Sequence, residues 1–296
     1  MYRGRFAPSP TGPLHFGSLV AAVCSWLDAR AHGGEWLVRI EDVDETRCRA
    51  YWGEEILRTL ERFGLTWDGP VVWQTQRKAI YRDALERLER AGLAYPCCCT
   101  RRESAGRYPG RCRGGLPAGA SARAWRFRVE PGVAAFDDRW QGRFEQDVEA
   151  EAGDFILLRA DGCFAYQLAV VADDAEQGIT HVVRGADLLD STPRQILLQR
   201  ALGYPQPSYM HHPVAVDGGG RKLSKQNRAP ALDPARDKEN FRGALVFLGL
   251  TPPQGLRVGE LAAWAVERWR EQRAAQAQSA APSFSASPDP KDWSAR

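Results

Sequence analysis

His15 and Gly17 stand where a proline-rich turn gives way to a helix, and far along the chain Lys222-Leu223-Ser224-Lys225 follows three consecutive glycines. These residue types suit one kind of chemistry. Nucleotidyl transfer from ATP asks a protein for little covalent help. It asks for positive charge and donors where the α-phosphorus and the leaving pyrophosphate gather negative charge. A helix start supplies free N–H groups and the positive end of a dipole. His15 adds a donor there, and Gly17 leaves room for a flat ligand. Lysines on a glycine-hinged loop can close over a triphosphate.

A second cluster has the chemistry of a metal site. Of the seven cysteines, Cys97, Cys98, Cys99 and Cys112 crowd into one short stretch, with Tyr108 between the last two. Adjacent cysteines and an odd total suit metal ligation better than a secreted disulfide framework. A structural zinc takes four ligands. The histidines, His15, His32, His181, His211 and His212, all lie elsewhere in the sequence. In an extended chain Cys97 and Cys99 project to one side and Cys98 to the other. Cys98, Tyr108 or a water is left to complete the set. Cys24, Cys48 and Cys163 read as ordinary core or near-surface residues.

The elements that must position these groups alternate. Arg3 to Ala7 reads as a strand, which Pro8, Pro10, Gly12 and Pro13 end in a rigid turn. A helix starts at Leu14, with Leu19, Val23, Trp26 and Leu27 at helical spacing. Glu35 to Ile40 is a buried strand carrying Glu41, Asp42 and Asp44 at its end, where open α/β sheets bind ligands. Tyr51–Phe63 and Arg77–Ala91 are amphipathic helices around a short strand at Val71–Trp73. Residues 1–96 therefore form the first half of an α/β domain with a doubly wound parallel sheet. The pattern breaks over 97–160, rich in Cys, Gly, Pro and Arg at first and then in short strands, Trp125–Val129, Val133–Phe144 and Phe155–Leu158; this block reads as an insertion. Over 161–228 the α/β pattern resumes. Leu168–Ala172 reads as an apolar strand ending at Asp173 and Asp174, and His181–Val183 as another ending at Arg184. Thr192 caps a helix, and Pro213–Val216 is the strand before the lysine loop. Residues 229–272 form a helical C-terminal region, and the Ala-, Gln-, Ser- and Pro-rich stretch 273–296 predicts disorder.

The net charge of +3 permits a nucleic-acid partner without arguing for one. No apolar run approaches the ~20 residues of a membrane helix. No signal peptide is apparent, and the expectation is a cytoplasmic protein with no membrane role.

His15-Phe16-Gly17-Ser18 and Lys222-Leu223-Ser224-Lys225-Gln226 resemble, in order, the paired ATP-binding motifs of class I aminoacyl-tRNA synthetases, with the last position of each departing from the pattern. Arg5-Phe6-Ala7-Pro8-Ser9-Pro10-Thr11-Gly12, Arg39-Ile40-Glu41-Asp42, Tyr166 to Asp174 and Gly178 to Asp187 resemble the catalytic half of glutamyl-tRNA synthetases. Cys97-x-Cys99 followed by Tyr108-x-x-x-Cys112 is similar to the insertion of the glutamyl-queuosine tRNA(Asp) synthetase family. That resemblance implies one zinc on Cys97, Cys99, Tyr108 and Cys112, and ATP, with Mg²⁺, held by His15, Gly17, Lys222, Ser224 and Lys225. His15 and Lys225 are then the catalytic pair. It also implies L-glutamate in a pocket of Arg5, Phe6, Ala7, Pro8, Ser9, Glu41, Tyr166 and Arg184. Glu41 would face the ammonium, and Arg184 and Tyr166 the side-chain carboxylate.

A full glutamyl-tRNA synthetase continues into helical domains that read the anticodon, and the stretch from Lys225 to Arg296 is too short for them. The resemblance therefore implies a monomer that activates glutamate as its adenylate without tRNA. Glutamate would then pass to the queuosine base in the anticodon loop of tRNA(Asp). Three other readings remain open at this point: a minimal glutamyl-tRNA synthetase charging a 3′ end, another nucleotidylyltransferase, and a non-catalytic RNA-binding paralogue.

Overall fold

The computed structural model describes residues 1–104, 106–215 and 230–280. Lys222, Ser224 and Lys225 therefore lie outside the described residues, as do 281–296.

Strand β1 (Arg3–Phe6) pairs in parallel with β2 (Glu35–Ile40), and β2 with β3 (Val72–Trp73). Helix α1 (Phe16–Ala31) returns the chain from β1, and α2 (Ala50–Arg62) from β2. Farther on, β9 (His181–Gly185) and β10 (Ser208–His212) run parallel and are joined by α6 (Thr192–Leu202). The carbonyl of Arg3 accepts from Thr180 N at 3.0 Å, so β9 abuts β1. The chain crosses to the opposite side of the sheet there, and the crevice above β1 and β9 is where an α/β sheet binds its ligand.

Side-chain parity builds a core on each face. Val183 and Met210 join one cluster, with Leu19, Val23 and Leu27 of α1. Val182 and Tyr209, one residue earlier in each strand, join Ile196 of α6 on the other face. Helices α7 (Asp237–Phe247) and α8 (Val258–Ala280) close the first core with Phe241, Leu245, Leu261 and Trp269. Helix α8 passes Gln272, where disorder is expected, and continues to Ala280. Its Ala, Gln and Arg residues are strong helix formers. Arg273 stacks on Trp140 and Trp269 at 5.5 and 5.8 Å, which anchors the added turns.

Three sequence expectations change. Leu168–Ala172 is not a strand; it lies inside helix α5 (Tyr166–Glu176). A short unbroken apolar run looks the same in a buried strand and in a helix buried all round, and Leu168 through Asp174 are all buried. Thr192 is the first residue of α6 rather than its cap, which is Ser191. The strand expected at Pro213–Val216 lies earlier, at β10, and the chain leaves the sheet at Pro213, which has no N–H to donate.

Helix α3 (Lys78–Arg90) packs with α5 beneath an antiparallel sheet of β4 (Ala94–Cys97), β5 (Ala124–Phe127) and β8 (Ile156–Leu158). The hairpin β6 (Val133–Asp138) and β7 (Gly142–Asp147), followed by the short α4 (Val148–Glu151), lies within the stretch 97–160. It nevertheless pairs with β10 and extends the catalytic sheet. Among the described residues no helix is long and apolar enough to cross a membrane.

Candidate active site

The turn after β1 is pinned by its neighbours: Glu41 N donates to Pro8 O at 2.9 Å and Arg49 N to Pro10 O at 3.0 Å. It delivers His15 to the start of α1. There His15 Nδ1 accepts from Ser18 N (3.3 Å), and Ser18 Oγ accepts from His15 N (3.5 Å). This reciprocal cap satisfies donors a helix start otherwise leaves open. It also places the proton of the neutral ring on Nε2.

A cavity of about 290 Å³ opens over the ends of β1 and β9. Arg5, Phe6, Ala7, Ser9, His15, Gly17, Glu41, Tyr166 and Arg184 all line it, and of the expected pocket residues in the described chain only Pro8 does not. Pro8 instead holds the turn through its carbonyl. Gly185, Asp187 and His212 also face the cavity.

Charge is distributed unevenly around this cavity. Asp173 and Asp174 end a buried helix and gather cations. Arg5 Nε lies 3.1 Å and Arg39 Nη2 2.8 Å from Asp174 Oδ1, and Arg77 Nε lies 2.6 Å from Asp173 Oδ1. Burial acts to raise the Asp174 pKa, but Arg5 and Arg39 hold it below its ordinary value. Glu41 shares Arg39, with Oε1 3.2 Å from Nη2. Burial dominates at Glu41 and pushes its pKa up to about 7, against the pull of Arg39 and Arg5.

Arg184 is different. It is only 6% exposed, and among the described residues its partners are neutral. Nε donates to His211 Nε2 (3.0 Å), Nη1 to Tyr166 Oη (3.2 Å), and Nη2 to Thr192 Oγ1 (2.8 Å) and Gln195 Oε1 (2.9 Å). A buried charge without a counter-ion is costly. One that faces a cavity beside a phenol is prepared for an anion from outside the chain. Burial also raises the pKa of Tyr166 and keeps it a neutral donor.

Sequence reasoning did not find the Asp173–Asp174 cation cluster as such, because it took the helix for a strand. It also missed His211, whose partners Arg184 and Asp138 are remote in sequence; a local pattern carries no trace of that meeting.

The cysteine stretch folds onto β4 and β5. The Sγ atoms of Cys97, Cys99 and Cys112 all lie within 4.8 Å of one another. Tyr108 Oη sits 3.4 Å from Cys97 Sγ and 3.5 Å from Cys99 Sγ. Cys98 stays outside that trio, with its Sγ 3.8 Å from that of Cys112. Burial pushes Cys99 up to about 11 and Tyr108 higher still, while the backbone N–H of Cys98 and the Tyr108 hydroxyl bring Cys112 down to about 7 against its own burial. Cys99 and Tyr108, both raised, lose their protons readily only to a cation. Arg126 lies over the Tyr108 ring at 3.7 Å and donates to Cys97 Sγ at 3.3 Å, a cation beside a donor set that becomes anionic on metal binding. Gly153 supplies the close approach: at φ +68°, a Cβ there would lie 2.4 Å from the Tyr108 carbonyl.

The family model for the catalytic domain of class I tRNA synthetases (E and Q) matches residues 1–106 and 120–249. A glutamyl-Q tRNA(Asp) synthetase of Dechloromonas aromatica is 59% identical over 90% of this chain and 94% of its own length. One of Cupriavidus metallidurans is 56% identical over 91% of each. Among solved structures, a glutamate-tRNA synthetase from Elizabethkingia anophelis aligns with a TM-score of 0.74 and 26% identity, covering 93% of this chain and 70% of its own. A glutamate tRNA ligase from Elizabethkingia meningosepticum, solved with its amino acid, aligns at 0.68 and 30% over 76% of this chain; the match spans 52% of that protein. The chain therefore belongs to the class I tRNA synthetases of the glutamate and glutamine branch, and within it to the family of glutamyl-Q tRNA(Asp) synthetases.

Proposed function

We propose that this protein activates L-glutamate with ATP and transfers it to the queuosine base of the tRNA(Asp) anticodon loop. The observation that carries the reading is Arg184, a buried guanidinium with only neutral partners among the described residues, in one cavity with the Glu41 carboxyl. An amino acid with an acidic side chain is the complement: its ammonium answers Glu41, and its side-chain carboxylate answers the Arg184 fork and Tyr166. Arg5, already paired to Asp174, walls the pocket with Phe6, Ala7 and Ser9.

The α-carboxylate of glutamate attacks the α-phosphorus of ATP in line, and pyrophosphate leaves. His15 Nε2–H and the start of α1 stabilise the charge that develops, and Gly17 allows the nucleotide to approach. Lys222, Ser224 and Lys225 would complete the triphosphate site. Mg²⁺, when bound with ATP, supplies charge neutralisation on the phosphates. In the second step a hydroxyl of the acceptor base attacks the acyl carbon of the adenylate, and AMP leaves. A second cavity, about 720 Å³, shares Ser9, Glu41 and Tyr166 with the first and carries Arg101 together with Arg47 and Arg159, which pair with Asp44; it offers the acceptor nucleoside a path with Arg101 for its phosphates. One zinc ion on Cys97, Cys99, Tyr108 and Cys112 would hold the insertion in shape.

Glutamate-dependent exchange between ATP and pyrophosphate, without tRNA, tests the first step. Exchange with L-glutamate is expected. Exchange that appears only when tRNA is added would point to a minimal glutamyl-tRNA synthetase, and none under either condition would overturn the reading.

The raised Glu41 pKa sets a pH dependence. Below about 7 its carboxyl is neutral in the free enzyme and offers no counter-charge to an ammonium; above that pH the carboxylate forms. The kcat/KM for glutamate should therefore rise about tenfold per pH unit up to about 7 and then level. Glu41→Gln should flatten that limb and lower the plateau. A wild-type profile with no break between pH 5.5 and 8.5 (about 1.5 units to either side of the expected one) would remove Glu41 from this role.

A further inference from the structure

Asp138 ends β6 with its carboxylate oriented by backbone. Its Oδ1 accepts from Trp140 N (2.9 Å), Gln141 N (2.8 Å) and His211 N (3.1 Å). That leaves Oδ2, which lies 2.6 Å from His211 Nδ1. The far nitrogen of the same ring, Nε2, accepts from Arg184 Nε. Arg184 Nε has one hydrogen and no lone pair to offer, so Nε2 must be bare and the ring proton must sit on Nδ1. Thr192 Oγ1, 3.1 Å from Nε2, fits as well: it accepts from Arg184 Nη2 and can donate to the ring. The imidazole is fully buried.

We infer that Asp138 and His211 are positioning residues for the amino-acid pocket: Asp138 fixes the tautomer of His211, and the bare Nε2 fixes the rotation of Arg184. The inference rests on Arg184 being the fork for the substrate's side-chain carboxylate. Neither residue touches the cavity fork's ligand itself; they act through Arg184. Their value is directional. A guanidinium held in place presents only N–H donors to the ligand, so the NH₂ of an amide there meets donor against donor, and the pair also sharpens glutamate against glutamine. Burial, with Arg184 adding to it and Asp138 opposing, lowers the His211 pKa and keeps the ring neutral.

The arrangement makes Asp138→Asn informative. The three backbone N–H groups at Oδ1 will claim the amide oxygen of asparagine. Its NH₂ must then take the place of Oδ2 and donate to His211 Nδ1. The ring proton moves to Nε2 and confronts the Arg184 N–H, donor against donor. A related loss of the correct tautomer follows Asp→Asn substitution in serine-protease triads.

The test uses the full chain: ¹⁵N NMR of the histidine rings, and exchange kinetics for the wild type, Asp138→Asn, His211→Leu and the double variant. In the wild type the His211 proton is expected on Nδ1, a result that needs no variant. In Asp138→Asn it should move to Nε2, and KM for glutamate should rise about tenfold or more, with KM for ATP within about twofold. Leucine has no polar atom to pass the change on to Arg184, so Asp138→Asn in the His211→Leu background should change KM for glutamate by less than about twofold. A wild-type proton on Nε2 would overturn the inference. So would an inverted tautomer with an unchanged KM. Arg184→Ala separates the two levels: if it too leaves KM for glutamate unchanged, the assignment of Arg184 has failed rather than its positioning.

Discussion

Arg184→Ala is expected to lower kcat/KM for glutamate about a thousandfold while leaving KM for ATP within about twofold. The guanidinium sits at 6% exposure, with neutral partners on its other edges. Its net charge is therefore available to the ligand rather than spent on a protein carboxylate, unlike that of Arg5, which is already paired with Asp174. Removing it leaves the substrate carboxylate buried and unmatched, which costs about 4 kcal/mol, or about three powers of ten. Among the described residues Arg184 bonds to His211, Tyr166, Thr192 and Gln195 rather than to the nucleotide end at His15 and Gly17, so ATP binding should hold. Arg184→Lys should recover little, because a point charge cannot reproduce a fork braced by His211 and Thr192. Steady-state exchange kinetics read all of this, and a glutamate KM unchanged in Arg184→Ala would place the amino acid elsewhere.

Loss of the proposed zinc site should be nearly as damaging by another route. Cys97→Ala is expected to yield protein without zinc, sensitive to proteolysis across the stretch from Cys97 to Ala124. The cysteines, Tyr108 and Tyr95 form a small core of their own, too small to fold unaided. Binding of a structural zinc supplies about 10–16 kcal/mol in isolated zinc modules, so the local fold stands or falls with it. The geometry separates the two candidates for the fourth ligand. Tyr108 Oη lies near the thiols of Cys97 and Cys99, whereas Cys98 Sγ lies 3.8 Å from that of Cys112. Zinc retained against a competing chelator should fall at least about a hundredfold in affinity in Tyr108→Phe and change little in Cys98→Ala. Full retention in Tyr108→Phe with loss in Cys98→Ala would give the fourth position to cysteine.

Much of the site was legible because its residues sit at strand ends and at a helix start, where local sequence marks them. Proline and glycine announce the turn that carries Ser9 and His15. Glu41 and Arg184 each follow a short apolar run, and the crevice of an α/β sheet gathers such positions whatever lies between them. What stayed hidden was of two kinds. The helix from Tyr166 to Glu176 is buried on every side between Leu168 and Asp174, so its apolar run carries no periodicity to distinguish it from a strand. The Asp138–His211–Arg184 chain depends on a hairpin joining the catalytic sheet by a parallel pairing with β10. A composition break assigns that hairpin to the insertion, and only the register of the folded sheet brings the carboxylate to the ring. The three arginines about Asp173 and Asp174 were each visible as charges near strand ends or a helix start; their convergence on one helix end was not.

Transfer of labelled glutamate to tRNA(Asp), with and without queuosine, tests the central claim most directly. Label is expected on the queuosine-bearing tRNA alone, retained after the 3′ terminal adenosine is removed. Label on queuosine-free tRNA, or label lost with the terminal adenosine, would contradict it.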